Sequence, residues 1–570
     1  MGIWIIFAII IVGIFIASIS TQGSRNKMEE DKIRDNWGKL QSNEYSSEEF
    51  ENIASYYRLV RQDGYYIDDI TWNDLEMDRI YKSMDITRSS VGREHLYKTL
   101  RIPGFNREEL KGFDECAEWI GRNEDVRIAT QSKLDRLGYV KNFSFVDYID
   151  SVQSLNPIGS GISIFMDILL AATILFTIFV NAPAGIIMVI ATALVSTAIY
   201  FKKKPTIEPY FHSLSQVSRM VRAAWDIKDI SAGYASAPGN LRKIIKELDD
   251  DSESLRGCIK GDWLIADSRS TGSPGEVFMN YIRMFTHVDI IHYNHAIPRL
   301  HGKKKEIMGL YENFGMLETI ICTASFRDTV MFYSFPELYE AESLEGASFE
   351  LKDVIHPLIS NAVPNSITIN AGDKKDCLIT GSNASGKSTF LKSVAINTLL
   401  SQSIATSLSR SYKAPMYRVY SSMSLRDDLA AGGSYYMVEI QSLKRIIDEA
   451  ADSSKPPVIC FVDEVLRGTN TIERIAASSA ILENLSRMNA LTFAATHDIE
   501  LTYLLESDYT NYHFREEMTD DGVEFSYKIL DGPATTRNAI ALLDNLGYDK
   551  EIIEKARARA ENFMNTGVWR

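Results

Sequence analysis

The chain of 570 residues has little cysteine, and the five cysteines form no recognisable pattern. They are scattered without C-x-x-C spacing, so they predict neither a zinc site nor a disulfide framework, and a reducing compartment fits best. Basic residues are also in the minority, since 61 Lys and Arg stand against 76 Asp and Glu for a formal net charge of -15. This balance argues against a molecule that binds polyanions over its whole surface, because affinity for a phosphate backbone comes mainly from clustered Lys and Arg. A local basic face stays compatible with the composition.

Charge is absent from the start of the chain. The run from Ile3 to Ile19 contains no charged residue, and it is long enough to cross a bilayer as a helix. A cleavable signal peptide would have a basic start and a small-residue cleavage site, and the run matches neither feature well. The sequence therefore predicts an uncleaved transmembrane anchor at residues 1–22.

A second stretch, residues 162–201, contains a single charged residue, Asp167. Asn181 to Gly185 interrupts this apolar run near its middle, which predicts a transmembrane helical hairpin of two short spans. The alternative is a hairpin buried in a soluble core. Lys202 to Lys204 follow directly, and the positive-inside rule puts that end in the cytoplasm. We therefore expect a multi-pass protein of the cell membrane in which everything from residue 202 onward is cytoplasmic.

The rest of the chain shows two kinds of pattern. Residues 23–161 and 202–348 have helical periodicity, which predicts a helical region in two parts. At 349–570 short apolar strands alternate with helices, which predicts an α/β domain with a largely parallel sheet. The expected fold class is thus a helical region with transmembrane helices, followed by an α/β domain.

Residues 381–388 read Gly-Ser-Asn-Ala-Ser-Gly-Lys-Ser, a complete G-x-x-x-x-G-K-[ST] phosphate-binding loop. The loop follows an apolar strand, Cys377 to Ile379, and opens a helix, which is the setting that the motif requires. Its backbone N–H groups and the helix N-terminus would hold the phosphates of ATP. The alternative is a Gly/Ser-rich turn without a ligand. The residues predicted to contact ATP are Gly381, Ser382, Asn383, Ala384, Ser385, Gly386, Lys387, Ser388 and Thr389, with Lys387 at the β- and γ-phosphates and Ser388 as a ligand of Mg²⁺.

Two acidic residues, Asp463 and Glu464, follow the apolar strand from Val458 to Val462. An acid at the carboxyl end of a strand beside a phosphate loop can hold the Mg²⁺ shell, and a second acid can polarise the attacking water. We therefore predict Asp463 as a metal ligand and Glu464 as the general base. His497 follows a further apolar strand, where it is either a structural residue or a sensor of the γ-phosphate.

The order and spacing of four motifs resemble the ATPase domain of MutS proteins, a branch of the ABC ATPase superfamily. These motifs are Thr380 to Thr389, Asp427 to Glu439, Asp463 to Asn470 and Ala495 to His497. The resemblance covers about residues 350–565, and it is looser over 70–345, where the helical region is similar to the core or lever region of that family.

The resemblance implies a homodimer in which each ATP lies between two subunits. One chain would contribute the phosphate loop, Asp463, Glu464 and His497, and the other would bring Ser434 to the γ-phosphate. It also implies that the ring of Tyr527 packs against adenine.

Two functions stay open at this point. The first is an ATP-gated clamp that binds DNA in a role like mismatch repair, tethered at the membrane. The second is an ABC-type mechanoenzyme that couples dimer closure to a membrane or protein partner without binding DNA. A basic stripe on the inner faces of the helical arms would favour the first, and an acidic or apolar face the second. No mismatch-reading domain is recognisable before the helical region, and the net charge is negative, so we expect weak, sequence-independent DNA binding at most.

Overall fold

The computed structural model describes residues 27–61, 64–140, 156–259, 281–341, 346–382, 385–423, 435–466, 469–519, 522–534 and 547–569, with a few isolated positions between them. The predicted anchor at residues 1–22 lies outside the described residues. The chain divides into two compact units. The first combines the residues before 63 with 84–99 and 115–328, and the second combines 63–83, 100–114 and 329–570. The domain ranges expected from the sequence stay predictions.

The helices with defined bounds are, in chain order, α1 (Ser47–Ile53), α2 (Ser55–Val60), α3 (Asp69–Asp74), α4 (Met77–Met84), α5 (Ser90–Arg101), α6 (Arg107–Arg122), α7 (Glu124–Leu134), α8 (Gly161–Phe179), α9 (Ala182–Asp229), α10 (Gly239–Leu255), α11 (Val288–Leu300), α12 (Lys304–Arg327), α13 (Lys387–Ser403), α14 (Tyr435–Ala450), α15 (Thr471–Ser486), α16 (Glu500–Leu504) and α17 (Lys550–Thr566). Residues 27–36 and 281–286 are helical as well. Two short 3-10 helices are Ser231–Tyr234 and Arg256–Ile259.

The strands are β1 (Glu337–Tyr339), β2 (Phe349–Val354), β3 (Asn365–Ile369), β4 (Asp376–Thr380), β5 (Ser411–Pro415), β6 (Arg418–Ser422), β7 (Val458–Asp463), β8 (Ala490–Ala495), β9 (Tyr509–His513), β10 (Glu516–Thr519), β11 (Gly522–Phe525) and β12 (Leu530–Asp531). All of them belong to the second unit.

The second unit is built around a six-stranded sheet with the strand order β12-β9-β4-β8-β7-β6. Every pairing in this sheet is parallel except that of β12 with β9. Strands β4, β7 and β8 consist almost entirely of buried residues, as expected of strands covered on both faces. A second sheet has the order β1-β5-β2-β3. The structure is therefore a mixture of helices and sheet, and the prediction of a largely parallel sheet is confirmed.

Two helices of the first unit, α8 and the Ala182–Pro205 part of α9, are long and apolar enough to cross a membrane. Only 17% and 22% of their apolar windows are buried among the described residues. The two helices pack closely at the turn, because a β-carbon on Gly185 would lie 2.5 Å from the Cα atom of Thr177. Asn181 caps α9 by accepting from the N–H of Ala184 at 3.1 Å.

The helix α9 continues past residue 201, where the sequence predicted the end of the second span. It runs without a break to Asp229. The reason is a second apolar stripe at helical spacing, which packs inside the first unit and is at most 2% exposed. Its members are Val217, Met220, Val221 and Ala224. The apolar run and the buried stripe thus belong to one helix.

Helices α5 and α12 approach each other closely at Gly92. The buried carboxylate of Glu318 accepts hydrogen bonds from the Ser89 hydroxyl and the Arg88 backbone N–H. A β-carbon on Gly92 would lie 2.5 Å from the carboxyl carbon of Glu318. Because these bonds hold the carboxylate in place, the helices can pack this way only where position 92 has no side chain.

Replacing Gly92 by Ala is therefore expected to lower the free energy of unfolding by about 1–3 kcal/mol, the usual cost of overpacking a core. The matched control is Gly121→Ala in α6, where a β-carbon would meet nothing within 4 Å. That variant is expected to be neutral or more stable by at most about 1 kcal/mol, because Ala favours a helix over Gly. Urea denaturation of both full-length variants measures the difference, and equal stabilities would contradict the close approach.

Candidate nucleotide site

The phosphate-loop sequence joins the end of β4 to the start of α13. Gly381 and Gly386 have φ angles of 145° and 110°, which residues with a side chain rarely adopt. A β-carbon on Gly381 would also lie 2.6 Å from the carbonyl oxygen of Phe514. Both glycines are therefore needed for the path of the loop. Asn383 and Ala384 lie outside the described residues, so their contact with ATP stays a prediction.

The side chain of Lys387, the first residue of α13, folds back over the loop and is buried. Its ammonium donates to the carbonyl oxygens of Gly381 at 2.7 Å and Ser382 at 2.8 Å. Ser385 donates to the same Ser382 carbonyl at 2.8 Å. The positive charge thus lies inside the curl of the loop, at the N-terminus of a helix, where a phosphate group would be stabilised. Thr389 lies in the first turn of α13 and is exposed.

The predicted metal ligands lie next to each other. The hydroxyl of Ser388 donates to the carboxylate of Asp463 at 2.5 Å. A hydroxyl and a carboxylate are the hard oxygen donors that Mg²⁺ prefers, so the two residues fit this ion. Among the described residues no group of three His, Cys, Asp or Glu side chains could hold a metal ion.

The predicted base, Glu464, follows Asp463 at the carboxyl end of β7. Its backbone is in the left-handed region, with a φ angle of 57°, and Leu466 is there too, at 60°. Such conformations cost free energy in residues with side chains and often occur at functional sites. Two bonds hold the turn, since the N–H of Glu464 donates to the Ala495 carbonyl at 2.9 Å and the N–H of Leu466 donates to the carboxylate of Glu439.

His497 lies beside Glu464, with 2.9 Å between its Nε2 atom and the carboxylate. The same nitrogen is 3.4 Å from the ammonium of Lys387. A single ring nitrogen cannot donate and accept at once, and the shorter contact with a carboxylate favours an Nε2–H that donates to Glu464. His497 therefore pairs with the predicted base and lies near the predicted phosphate-binding lysine.

Parallel pairing sets the position of His497. The N–H of Thr496 donates to the carbonyl of Ile379 in β4 at 3.0 Å. Asp498 follows, and it accepts two hydrogen bonds from the guanidinium of Arg474 at 2.6 and 2.8 Å. The residues directly before and after the histidine are thus both fixed by hydrogen bonds. The sequence around His497 did not predict the contact between Arg474 and Asp498.

Tyr527 lies at the mouth of the loop. A β-carbon on Gly386 would be 3.2 Å from the ring of Tyr527, and that ring is 45% exposed. Asn365 holds the tyrosine backbone by donating to its carbonyl at 2.9 Å. Nearly half of the residue is thus exposed beside the loop, and its role at adenine stays a prediction.

Sequence reasoning missed Glu516 altogether. Its carboxylate accepts from the hydroxyl of Ser382 in the loop at 2.7 Å. No motif marks this residue, because an acid at the start of a short hairpin strand is common.

The described part of the chain thus brings together most of the predicted site. The residues that meet at the carboxyl ends of β4, β7 and β8 are Gly381, Ser382, Ser385, Gly386, Lys387, Ser388, Asp463, Glu464 and His497, with Tyr527 beside Gly386. Ser434 lies outside the described residues.

Comparison with known proteins identifies the region that carries this site. A family model described as MutS domain V matches residues 377–564. The DNA mismatch repair protein MutS of Thermus thermophilus is 32% identical over 207 residues, which are 36% of this chain and 25% of that protein. The DNA mismatch repair protein MutS 2 of Halobacterium salinarum is 32% identical over 227 residues, 38% of this chain and 26% of that protein. A protein of the same name from Haloarcula marismortui is 34% identical over 198 residues, 34% of this chain and 20% of that protein.

The matched stretches therefore span about a quarter or less of the length of these relatives. The family-model match contains the phosphate loop, the acidic pair, His497 and Tyr527, since it begins within β4 and ends within α17. Residues 377–564 therefore belong to the MutS domain V family, and this is the part of the chain that the comparisons identify.

Proposed function

We propose that the chain binds ATP with Mg²⁺ and hydrolyses it at this site, in a P-loop domain of the ABC type. The observation that carries the proposal is the 2.5 Å contact between Ser388 and Asp463, with the Glu464–His497 pair beside it. These groups belong to distant parts of the chain. A Gly/Ser-rich turn without a ligand gives no reason for a hydroxyl, two carboxylates, an imidazole and an ammonium to converge on it.

Each side chain has a role that follows from its chemistry. Lys387 would bind the β- and γ-phosphates and stabilise the charge that develops during transfer. Glu464 would accept a hydrogen bond from the attacking water and orient it, and the imidazole of His497 would hold the carboxylate in place. Mg²⁺, held by Ser388 and Asp463, would neutralise charge on the phosphates.

The second part of the proposal is a homodimer with composite sites. The glycine-rich segment with Ser434 would approach the γ-phosphate from the partner, as the MutS resemblance implies. The physical reason for such an arrangement is that hydroxyl and amide donors would surround the phosphate only when the dimer closes. ATP binding and closure would then be coupled.

The third part is a membrane attachment through the hairpin of α8 and α9. Exposed apolar side chains cover the outer faces of both helices, which supports lipid contact. Examples are Ile168 at 64% exposure, Ile178 at 67%, Ile187 at 70% and Leu194 at 67%. Lys202 to Lys204 at the end of the apolar run support a cytoplasmic location for the second unit.

A DNA role is the open part of the function. The relatives are named as DNA mismatch repair proteins, which supports a clamp that binds DNA, but they match only 36% and 38% of this chain. The net charge of -15 favours the alternative, a mechanoenzyme that acts on a membrane or protein partner. A salt titration of DNA binding by the full chain separates the two. Weak binding that disappears as salt rises supports the alternative, and salt-resistant, mismatch-selective binding supports the repair role.

Hydrolysis is tested with two variants at the site. Lys387→Ala is expected to abolish ATP turnover, because nothing nearby replaces the ammonium at the phosphates. Glu464→Gln is expected to retain ATP binding and to lose at least about 100-fold in turnover, because only the base is removed. Phosphate release and nucleotide-binding assays measure both effects. Undiminished hydrolysis by Lys387→Ala would refute the site.

Composite sites are tested by mixing variants. Ser434→Ala and Lys387→Ala should each be inactive alone, but a heterodimer of the two keeps one intact site. An equal mixture should recover about a quarter of wild-type turnover if subunits exchange at random. No recovery, with exchange shown by differently tagged chains, would mean that each site belongs to a single chain.

The hairpin is tested by labelling single introduced cysteines in intact cells. Asn181→Cys at the turn should react with an impermeant thiol reagent from outside, and Lys203→Cys should react only after the cells are opened. The background is low because the five native cysteines are buried. Protection of both positions would argue against a span, and the reverse pattern would invert the topology.

A further inference from the structure

Among the described residues, strand β6 is the edge strand of the six-stranded sheet, and side chains cover its outer edge. The covering residues come from a distant segment, residues 65–74, in and before α3. Along β6 and just past its end, the backbone N–H group of every second residue donates to one of these covering side chains. The three pairs are Val419 to the Tyr65 hydroxyl at 2.5 Å, Ser421 to the Thr71 hydroxyl at 3.1 Å and Met423 to the Asp74 carboxylate at 2.9 Å.

Asp74 makes the last of these bonds and makes a second one at the same place. Its carboxylate also accepts from the side-chain hydroxyl of Ser421 at 2.7 Å. The residue is only 3% exposed, and Thr71 and Ser421 are fully buried. Water therefore cannot readily replace the carboxylate if it is removed, and the N–H of Met423 would lose its partner.

The strand end that Asp74 holds is next to the acidic pair. Strands β6 and β7 pair in parallel, with Ser422 opposite Val462. The following residues on the two strands are Met423 and Asp463. A shift of the end of β6 would therefore displace the neighbouring end of β7, which carries the proposed metal ligand and base.

The turn that follows this segment makes a second contact with the nucleotide site. Glu76, two residues after Asp74, pairs with Lys392 of α13 at 2.7 Å and with Arg79 at 2.6 Å. Helix α13 is the one that begins at Lys387. Glu76 has a φ angle of 52°, so the corner between α3 and α4 is held in an unfavourable conformation while it makes this contact. The bond from Lys392 lowers the pKa of Glu76 to about 2, which keeps the carboxylate charged.

We propose that Asp74 is a positioning residue of the nucleotide site, and that the corner at residues 74–76 controls how well the site is aligned. Asp74 fixes the strand end beside Asp463, and Glu76 fixes the helix that follows the phosphate loop. Neither residue would touch the nucleotide. The segment precedes the phosphate loop by about three hundred residues of sequence, and no motif links the two.

The three hydrogen bonds along β6 provide a graded test. Tyr65→Phe removes both bonds to Val419, Thr71→Val removes the bond to Ser421, and Asp74→Ala removes the bonds from Ser421 and Met423. The three positions lie at increasing distance from the start of the strand. If Asp74 positions the site, the loss of turnover should increase along this series. We expect less than about twofold for Tyr65→Phe and on the order of tenfold or more for Asp74→Ala, with little change in KM for ATP, since small displacements of catalytic groups are costly.

The conservative variant Asp74→Asn keeps an oxygen acceptor and should recover most of the turnover lost in Asp74→Ala. Thermal stability is measured for every variant. The proposal would be overturned if the loss of turnover in each variant were proportional to its loss of thermal stability and independent of its position along the strand. If Asp74→Ala does not fold, the comparison of Thr71→Val with Tyr65→Phe remains, and so does Asp74→Asn. These variants still show whether turnover depends on the position along the strand or on stability alone.

The two cation partners of Glu76 offer a second measurement. Lys392→Met breaks the contact with α13, whereas Arg79→Met removes a partner of the same carboxylate within its own segment. Only Lys392→Met should alter the kinetics of ATP hydrolysis, by on the order of threefold. Equal effects of the two variants would contradict a role in positioning α13.

The inference rests on the proposed hydrolysis, and the experiments separate their failures. If Lys387→Ala hydrolyses like the wild type, the proposed function itself fails. If Lys387→Ala is inactive but the series along β6 shows no gradient, only the positioning role of Asp74 fails.

Discussion

The parallel pairing of β4, β8 and β7 is the constraint on which the site depends. Parallel strands end at the same edge of a sheet, so residues that follow each strand come together whatever their distance in sequence. In this chain the phosphate-loop sequence, His497 and the acidic pair each follow one of the three strands. The contacts between Ser388 and Asp463 and between Glu464 and His497 are consequences of this register.

The site also contains several residues in left-handed conformations. Two glycines of the loop adopt them without a steric cost, whereas Glu464, Leu466 and Tyr527 adopt them with side chains. The cost is offset by specific bonds, such as that of the Glu464 N–H to the Ala495 carbonyl and that of Asn365 to the Tyr527 carbonyl. The strands give a rigid base, and the strained turns orient side chains toward the loop.

The first unit shows a different use of apolar residues. In α9 one continuous helix has exposed apolar side chains in its first half and a buried stripe in its second half. Exposed apolar side chains in such number are unfavourable in water. The proposed membrane attachment would remove that cost, and the buried stripe holds the rest of the helix in a protein core.

Sequence by itself was sufficient for the features that depend on local pattern. The loop motif, the buried strands before Asp463 and His497, and the apolar hairpin all follow from short-range periodicity and composition, and the structure has strands and helices at these places. Only the tertiary structure decided which distant residues support them. Asp74, Glu76 and Glu516 carry no motif, because an acidic side chain on a helix or a turn is usually solvated. Their partners are backbone N–H groups and side chains that come close only when the sheet has formed, so the physical information lies in the packing and not in the local sequence.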